Sequence, residues 1–372
     1  MSQNTNATKR TIHLPLGDRS YDIIIQNGLL NTAGPIIADV VKGRRCLVIT
    51  DRTIGPKHGY RLSASLQKSG FDGTALELPP GEGVKTLDVA KSLYDVCLEA
   101  GLDRDSCLIA LGGGAIGDLT GFVAATFYRG IQFVQVPTTL LAMVDASIGG
   151  KTGVDHPKAK NAIGAFLQPR TVLIDPETLA TLPDRELKSG LAEVIKYGVI
   201  DDAELFAFIE QNIEKLLAKD GEALAHVIER SAAIKARIVA ADERETGSGP
   251  RALLNFGHTF GHAVESATNY QGYLHGEAVA IGMAMACELS VEQQLLTRAD
   301  RDRVIALIEK ANLPTKLQPG DPDTNTLYAA MFKDKKAAAG KLRFILADKI
   351  GKSRIVTDVP EDAVKKAWMA RR

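Results

Sequence analysis

The chain has no net charge, no long hydrophobic run and no apolar leader, and each absence excludes a class of protein. Lys and Arg number 45 and so do Asp and Glu, so the overall charge favours neither a nucleic acid nor a membrane surface as a partner. The longest apolar run, residues 278–287, is far shorter than the roughly 20 residues of a membrane-spanning helix. The first ten residues are polar and lack the apolar core of a signal peptide. We therefore predict no nucleic-acid and no membrane partner.

Cysteine is also scarce. The four cysteines, Cys46, Cys97, Cys107 and Cys287, are widely spaced in apolar stretches and form no Cys-x-x-Cys pair. This spacing favours buried, reduced thiols over disulfides or metal ligands. We accordingly predict a soluble, cytoplasmic protein.

The first half of the chain alternates strand-like and helix-like segments. A length of 372 residues suggests two domains. Residues 11–16 and 21–25 flank a Gly-Asp-Arg-Ser turn in the pattern of a β-hairpin. The other segments predicted as strands are residues 46–50, 76–78, 107–111, 133–136 and 171–174, and those predicted as helices are residues 60–69, 86–100 and 119–126. The alternation predicts a mainly parallel sheet covered on both faces.

The second half of the chain changes to consecutive amphipathic helices, and strand-like runs nearly vanish. The predicted helices are residues 184–198, 203–218, 222–241, 259–268, 277–294 and 299–311. We place the boundary at Leu182–Pro183, with an α/β domain at residues 1–182 and a helical domain at residues 183–372.

A glycine-rich turn follows the predicted strand 107–111. Residues 112–117, GGGAIG, have Gly-x-Gly-x-x-Gly spacing, which lets the backbone N–H groups of a helix start approach a dinucleotide diphosphate. The acidic residue that the standard Rossmann pattern has about 20 residues later is missing, because the next strand ends in VPTT at residues 136–139. A dinucleotide remains the preferred occupant, and a packing turn is the alternative.

Two carboxylates near other strand ends could bind the ribose of such a dinucleotide. Asp51 follows strand 46–50, and Glu82 shares the turn after strand 76–78 with Lys85. A carboxylate accepts hydrogen bonds from both ribose hydroxyls and repels a 2′-phosphate, which favours NAD over NADP.

A second glycine-rich stretch carries clustered lysines. Residues 147–161 contain Lys151, Lys158 and Lys160, and Arg129 and Arg170 lie nearby in the sequence. In a neutral protein this clustering indicates a loop that binds a phosphate or carboxylate, with a solvated loop as the alternative. The spacing is not that of a P-loop.

Histidines are concentrated in the second half. His258 and His262 are four residues apart, so a helix would project both imidazoles from one face, and His275 follows. Two imidazoles and a carboxylate suit a catalytic divalent ion. Glu193, three residues before Lys196 on a predicted helix, could supply the carboxylate or form an ordinary surface salt bridge. Spacing favours the pair His258 and His262 and leaves His275 undecided; helix ends that merely begin with histidine are the alternative.

Taken together, the motifs resemble the 3-dehydroquinate synthase family. The resemblance covers about residues 51–351. Its motifs are GGGAIGD at residues 112–118, VPTTLL at 136–141, GGK at 149–151, KN at 160–161, GLAEVIK at 190–196, NFGHTFGH at 255–262 and HGE at 275–277. It implies a Rossmann-like α/β N-terminal domain with a mainly parallel sheet, an all-α C-terminal domain, and a cleft between them that binds NAD and Zn²⁺ or Co²⁺.

The resemblance also assigns site residues by motif match. The metal ligands fall on Glu193, His258 and His275, and His262 is moved from the metal to the substrate. The NAD contacts fall on Asp51, Glu82, Lys85, Gly114, Ala115, Ile116, Gly117, Asp118, Thr138, Thr139, Lys151, Lys160, Thr178, Leu179, Ala180 and Thr181. The substrate contacts fall on Asp145, Lys151, Asn161, Lys196, Lys235, Arg251, Asn255 and His262. Arg129 resembles an arginine that reaches the neighbouring subunit's site, which implies a homodimer, and Lys335 or Lys336 would complete the phosphate pocket.

Two segments depart from the family pattern. The nucleotide turn begins with Pro80 where an aspartate is usual, and Val84 replaces an aromatic residue, so adenosine packing should differ. The segment 247–250 is about two residues longer than usual before Arg251.

The implied activity is the conversion of 3-deoxy-D-arabino-heptulosonate 7-phosphate to 3-dehydroquinate and phosphate, a step of the shikimate pathway to aromatic amino acids. The family's route is NAD-mediated transient oxidation, β-elimination of phosphate, reduction, ring opening and an intramolecular aldol cyclisation. Two alternatives are kept: a related sugar-phosphate cyclase, and a glycerol-dehydrogenase-like, metal-dependent polyol dehydrogenase. A non-catalytic NAD-binding protein would not need the imidazoles, carboxylate and lysines together.

Overall fold

The computed structural model describes residues 9–246, 249–332 and 342–372. The chain divides into two compact units. The first runs to Leu182 and also includes Leu224–Ala240; the second comprises Pro183–Ala223 and the chain from Ala241 onward.

The first unit is built on one large sheet. Its elements in chain order are β1 (Arg10–Leu14), β2 (Tyr21–Ile25), α1 (Ala33–Val40), β3 (Arg45–Asp51), α2 (Tyr60–Lys68), β4 (Asp72–Leu78), α3 (Leu87–Glu99), β5 (Cys107–Gly112), α4 (Gly114–Thr126), β6 (Gln132–Pro137), β7 (Lys151–His156), β8 (Ala159–Phe166) and β9 (Thr171–Ile174). Within the described residues the sheet has the strand order β1-β2-β9-β6-β5-β3-β4. Only the β1–β2 pairing is antiparallel. The prediction of a mainly parallel α/β sheet is confirmed.

Apolar side chains cover both faces of this sheet, which explains why its central strands are continuous apolar runs. On one face, α3 and α4 pack on alternate residues of β3 and β5 such as Leu47 and Leu108. On the other face, α1 and α2 pack on the intervening residues such as Val48 and Ile109. Because these strands are parallel, the loops that follow them emerge at one edge of the sheet, where open α/β sheets bind ligands.

Two predictions for this unit are corrected. The lysine-rich stretch is not a loop from 147 to 161, because β7 and β8 form an antiparallel hairpin there. Glycine and lysine obscured the strand pattern, although Val154 and Ile163 pair across the hairpin and pack inward. The helix after the glycine turn begins at Gly114 and not at residue 119, so the motif's last two glycines lie inside the helix.

The second unit is mostly helical. Its elements are α5 (Asp184–Ile200), α6 (Ala203–Leu217), α8 (His258–Ala267), α9 (His275–Glu292), α10 (Arg298–Lys310), α11 (Thr324–Met331), β10 (Arg343–Lys349), β11 (Lys352–Thr357) and α12 (Glu361–Met369). Helix α7 (Gly221–Ala241) follows α6 in the chain, and its residues Leu224–Ala240 belong to the first unit. The predicted helical character is confirmed, with one correction: β10 and β11 form an antiparallel hairpin. Buried Phe344 and Leu346 hold that hairpin to the unit.

Across the described residues, no helix is both long enough and apolar enough to cross a membrane.

Candidate functional site

In the first unit, the predicted nucleotide residues lie at the carboxyl ends of neighbouring strands. Asp51 ends β3, the turn with Glu82 and Lys85 follows β4, and the glycine turn follows β5. Thr138 and Thr139 follow β6, and the short helix Pro176–Thr181, which contains residues 178–181, follows β9. Because these strands are parallel, the fold collects all five segments at one edge of the sheet.

The glycine turn has the local form of an anion site. Gly113 is the N-cap of α4 and makes no side-chain cap hydrogen bond, so the first N–H groups of the helix have no capping side chain and carry the positive end of its dipole. A Cβ at Gly117 would lie 2.8 Å from Gln135 Oε1, so a larger residue there would displace the Gln135 side chain of β6. These features fit a dinucleotide diphosphate.

At this edge of the sheet, the ammonium of Lys85 pairs with two carboxylates. Its side chain is buried, with Nζ 2.6 Å from Asp118 Oδ2 and 3.6 Å from Glu82 Oε1. Burial by itself would lower the Lys85 pKa, but the Asp118 and Glu82 carboxylates more than offset burial and raise it. Lys85 is therefore a fixed ammonium that joins the β4 turn to the start of α4. The nearby carboxylate of Asp51 accepts hydrogen bonds from the N–H groups of Thr53 and Ile54 and shapes its own turn.

Among the predicted substrate residues of the first unit, Asn161 and Lys235 each have a defined hydrogen-bond partner. Asn161 lies on β8 and its amide oxygen accepts a hydrogen bond from Lys85 Nζ at 2.5 Å. Lys235, on α7, contacts the Asp145 carboxylate and donates to the Asp145 carbonyl at 2.7 Å. Exposed Lys151 opens β7. Arg129 has a left-handed backbone, φ +67°, next to Tyr128 at φ +49°.

In the second unit, three of the predicted residues lie together. Glu193 on α5, His258 at the start of α8 and His275 at the start of α9 each offer a ligand atom, and these atoms lie within 4.8 Å of one another. Glu193 Oε1 is 3.5 Å from His258 Nε2 and 3.7 Å from His275 Nε2. The His262 ring is adjacent, with its centroid 5.3 Å from that of His258 and 6.2 Å from that of His275.

Hydrogen bonds at the other ring nitrogens orient two of these imidazoles. His258 Nδ1 is 3.1 Å from the Phe256 carbonyl oxygen, and His275 Nδ1 is 3.2 Å from Glu265 Oε1. An Nδ1–H that donates to either oxygen leaves Nε2 with a lone pair directed toward Glu193, as in metal sites whose histidines are held by outer carboxylates and carbonyls. Glu265 is the residue that sequence reasoning missed. Its signal was the seven-residue spacing from His258, which places it two turns along α8.

Glu193 is fully buried, and neither of its oxygens accepts a hydrogen bond from the described residues. The ammonium of Lys196 contacts Oε2 as an ion pair. A buried carboxylate with so few donors is costly unless further positive charge is supplied. The donor set of one carboxylate and two imidazole nitrogens fits Zn²⁺ or Co²⁺.

Close contact between α5 and α9 brings His275 to Glu193. A Cβ at Gly276 would lie 2.0 Å from the Ser189 carbonyl oxygen, and Gly276 N donates to Ser189 Oγ at 3.1 Å. Arg185 donates to both Glu277 oxygens at 2.7 Å. The sequence His-Gly-Glu thus combines a ligand atom, a close approach and an ion pair in three consecutive residues.

The remaining predicted residues of this unit flank the cluster along the chain. Arg251 is buried and donates to the Glu243 carbonyl, and Asn255 Nδ2 donates to Glu245 Oε1 at 3.2 Å. Lys335 and Lys336, and the Gly247 and Ser248 part of the longer segment, lie outside the described residues.

A strand-end glycine turn together with a carboxylate–imidazole cluster is typical of metal-dependent enzymes that use a nicotinamide dinucleotide. Comparison with known proteins narrows this class. The family model for the N-terminal part of 3-dehydroquinate synthase matches residues 75–189, and the model for the C-terminal part matches residues 190–337.

Individual relatives cover nearly the whole chain. A 3-dehydroquinate synthase from Desulforamulus reducens is 48% identical over 94% of this chain and 97% of its own. One from a Synechococcus strain is 50% identical over 96% of this chain and 98% of its own. A solved structure, the 2-epi-5-epi-valiolone synthase ValA of Streptomyces hygroscopicus subsp. jinggangensis 5008 with NAD+ and Zn2+ bound, has a TM-score of 0.86 and 31% identity, covering 96% of this chain and 98% of that one. The chain belongs to the 3-dehydroquinate synthase family.

Proposed function

We propose that the protein converts 3-deoxy-D-arabino-heptulosonate 7-phosphate to 3-dehydroquinate and phosphate, with NAD and Zn²⁺ or Co²⁺ as cofactors. The supporting observation is that a chain of this family carries both the Glu193–His258–His275 cluster and the strand-end site around Lys85. When bound, NAD supplies a reversible hydride acceptor and the divalent ion supplies a Lewis acid for a substrate hydroxyl.

Glu193, His258 and His275 are proposed to hold the ion. Glu265 and the Phe256 carbonyl keep the two imidazoles oriented for it. The glycine turn and Thr138 and Thr139 are proposed to bind the diphosphate and the neighbouring part of NAD. The residues at the ends of β3, β4 and β9 are proposed to bind its nucleoside part. Lys151 and Lys160 are proposed to contact NAD as well.

The substrate carries a dianionic phosphate and a carboxylate on one sugar chain, and several of the proposed contacts are cationic. Lys151, Asn161 and His262 are proposed to orient the phosphate so that it leaves by β-elimination. The planar guanidinium of buried Arg251 suits the carboxylate. Lys196, Lys235, Asp145 and Asn255 are proposed to contact the hydroxyl groups. These roles explain why so many cations are held in defined positions in a chain with no net charge.

We also propose a homodimer that works in the cytoplasm. Arg129 is the middle one of three consecutive residues with positive φ, and we propose that its side chain reaches the site of a neighbouring subunit. The four cysteines are free and buried, as expected for a reducing compartment.

One assay separates the proposed activity from the alternatives. The protein is incubated with NAD, zinc and the heptulosonate phosphate while phosphate and NADH are followed together. We expect phosphate release with no net NADH, because the hydride is returned in each turnover. NADH that accumulates stoichiometrically without phosphate would favour a polyol dehydrogenase. Phosphate released only from sedoheptulose 7-phosphate would favour a related cyclase.

The metal ligands are tested by a matched pair of variants. His275→Ala should lose bound zinc in direct metal analysis, whereas His262→Ala should retain it, because only His275 is proposed to bind the ion. Retention of zinc by H275A and its loss from H262A would show that the two roles are reversed.

A further inference from the structure

The hairpin of β7 and β8 contains an irregularity at Asp155. Val154 pairs with Ile163 and His156 pairs with Ala159, so the single residue Asp155 stands opposite three residues of β8, namely 160–162. Such a bulge interrupts the regular ladder and leaves backbone groups that need other partners.

Asp155 supplies those partners in two directions. Its carboxylate Oδ1 accepts a hydrogen bond from the backbone N–H of Asn161 at 2.7 Å. Its own backbone N–H donates to the Lys85 carbonyl at 2.7 Å, and it forms a parallel bridge with Thr86. Asp155 thereby fastens the bulge to the turn that follows β4.

Asn161 needs such an anchor because its backbone is left-handed, with φ +52°. Asparagine tolerates this conformation better than most residues, but the ordinary extended form competes with it. The bond from Asn161 N–H to Asp155 is formed in the left-handed conformation that the structure shows.

Lys85 closes a ring with these two residues. Its Nζ donates to Asn161 Oδ1 at 2.5 Å while its carbonyl accepts from Asp155. The same ammonium is 2.6 Å from Asp118 Oδ2 at the start of α4. The side-chain orientation of Asn161 is therefore joined by direct bonds to two residues of the nucleotide edge.

We propose that Asp155 is a positioning residue that holds Asn161 in its substrate-binding conformation and couples it to the NAD site through Lys85. This inference rests on the proposed function, in which Asn161 contacts the sugar phosphate and Lys85 and Asp118 contact NAD. Asp155 acts through Asn161 and does not itself touch the substrate. Its removal should weaken substrate binding more than it slows the chemical steps.

The test compares Asp155→Ala, Asp155→Asn and Asn161→Ala, alone and combined, in the holoenzyme. We expect D155A to raise the KM for the sugar phosphate roughly 3- to 10-fold, the worth of one hydrogen bond, with a smaller change in kcat. D155N keeps an oxygen acceptor and should restore most of the loss. In the N161A background, D155A should add little, since coupled residues are not additive.

Asp103→Ala is the matched control. The Asp103 carboxylate also accepts backbone hydrogen bonds, from Asp105 and Ser106 at 3.0 Å, but it touches none of the proposed site residues. The KM of D103A for the sugar phosphate should therefore equal that of the wild type. Thermal melting checks the fold of each variant, and Asp155→Ser replaces D155A if the latter melts early.

The outcomes distinguish the inference from the proposed function. A KM unchanged in D155A but raised in N161A would overturn the positioning role and leave the function standing. Additive losses in D155A and the double variant would also overturn it, because Asp155 would then act independently of Asn161. An unchanged KM in N161A would remove Asn161 from the substrate site, and the positioning role would fall with it.

Discussion

The two units form their sites in different ways. At the edge of the first unit's sheet, backbone turns after parallel strands carry the site, and one buried ammonium, Lys85, joins two of those turns. In the second unit, side chains from α5, α8 and α9 converge, and Glu193 precedes its partner His275 by 82 residues. The proposed nucleotide site is thus formed by strand ends and the proposed metal cluster by helix packing.

This difference explains which changes each site should resist. A turn depends on its own few hydrogen bonds, so damage there should remain local. A cluster on packed helices depends on helix spacing, so a residue that touches no ligand can disable it. Three substitutions test the contrast, in order of expected effect.

The largest effect is expected from Gly276→Ala. The new Cβ would overlap the Ser189 carbonyl oxygen, so α9 must move away from α5 and carry His275 from Glu193. We expect metal affinity to fall roughly 100-fold, the upper end for a change outside the ligands, with NAD affinity unchanged. A chelator competition measures the first quantity and calorimetry with NAD the second.

Gly59→Ala is the control for this change, because its Cβ would meet no atom within 4 Å and its φ is −59°. It should leave both affinities as they are. Normal metal binding by G276A would show that the spacing of α5 and α9 does not set the cluster.

The second effect concerns Lys85→Met. It removes the ammonium but keeps most of the length of the unbranched side chain, which leaves the Asp118 carboxylate without its closest cation. Breaking a buried pair in this way is strongly unfavourable, and we expect NAD affinity to fall about 10- to 100-fold while metal affinity is retained. Lys91→Met, at an exposed position of α3, is the control. A parallel loss of metal in K85M would contradict the independence of the two sites.

The smallest effect is a pH dependence at His58. His58 is buried, its Nε2 is 2.8 Å from Thr181 Oγ1, and that hydroxyl donates to the Thr178 carbonyl at 3.1 Å. The hydroxyl proton is thereby used, so Nε2 carries the hydrogen and Nδ1 is a buried acceptor without a hydrogen-bond partner among the described residues. Burial, and then the positive charges of Arg61 and Lys57, lower the His58 pKa.

A lowered folded pKa fixes the sign of the effect. The contribution of His58 to stability is complete above its unfolded pKa of about 6.5 and is lost as pH falls from there through the folded value. Glutamine at this position can still donate to Thr181 but does not titrate. Urea unfolding between pH 7.5 and 5.5 should therefore show a smaller loss of stability for His58→Gln than for wild type. Exposed His13→Gln serves as the comparison, and an equal pH slope in H58Q and wild type would refute the assignment.

Much of the fold follows from local patterns in the sequence. The central parallel strands are buried apolar runs, and the predicted helices in the second half end within two residues of the observed ones, because amphipathic spacing and polar caps are local. The hairpin of β7 and β8 could not be recognised in the same way. Its β8 strand is largely exposed, so the strand lacks the clear alternation that burial imposes.

The candidate site shows the same limit. The spacing of His258 and His262 suggested a pair of ligands. A four-residue spacing, however, shows only that the two side chains share a helix face. The structure instead groups His258 with His275 and Glu193, because helix contacts between distant segments decide which nitrogens converge. Glu265, Asp155 and Gly276 act through such contacts. Gly276 lies in the HGE motif at residues 275–277, but the motif does not reveal its contact with Ser189.

The burial of α5 has a consequence for how the proposed metal ion would enter and leave the protein. From Ser189 to Ile200 every residue of this helix is buried, so its amide hydrogens should exchange with solvent only when the core of the unit opens. Glu193 should then keep its place in the metal-free protein, and only the less buried His275 has room to adjust. We therefore expect a chelator to remove the ion without unfolding the helix, so that the metal-free protein can bind a new ion without refolding.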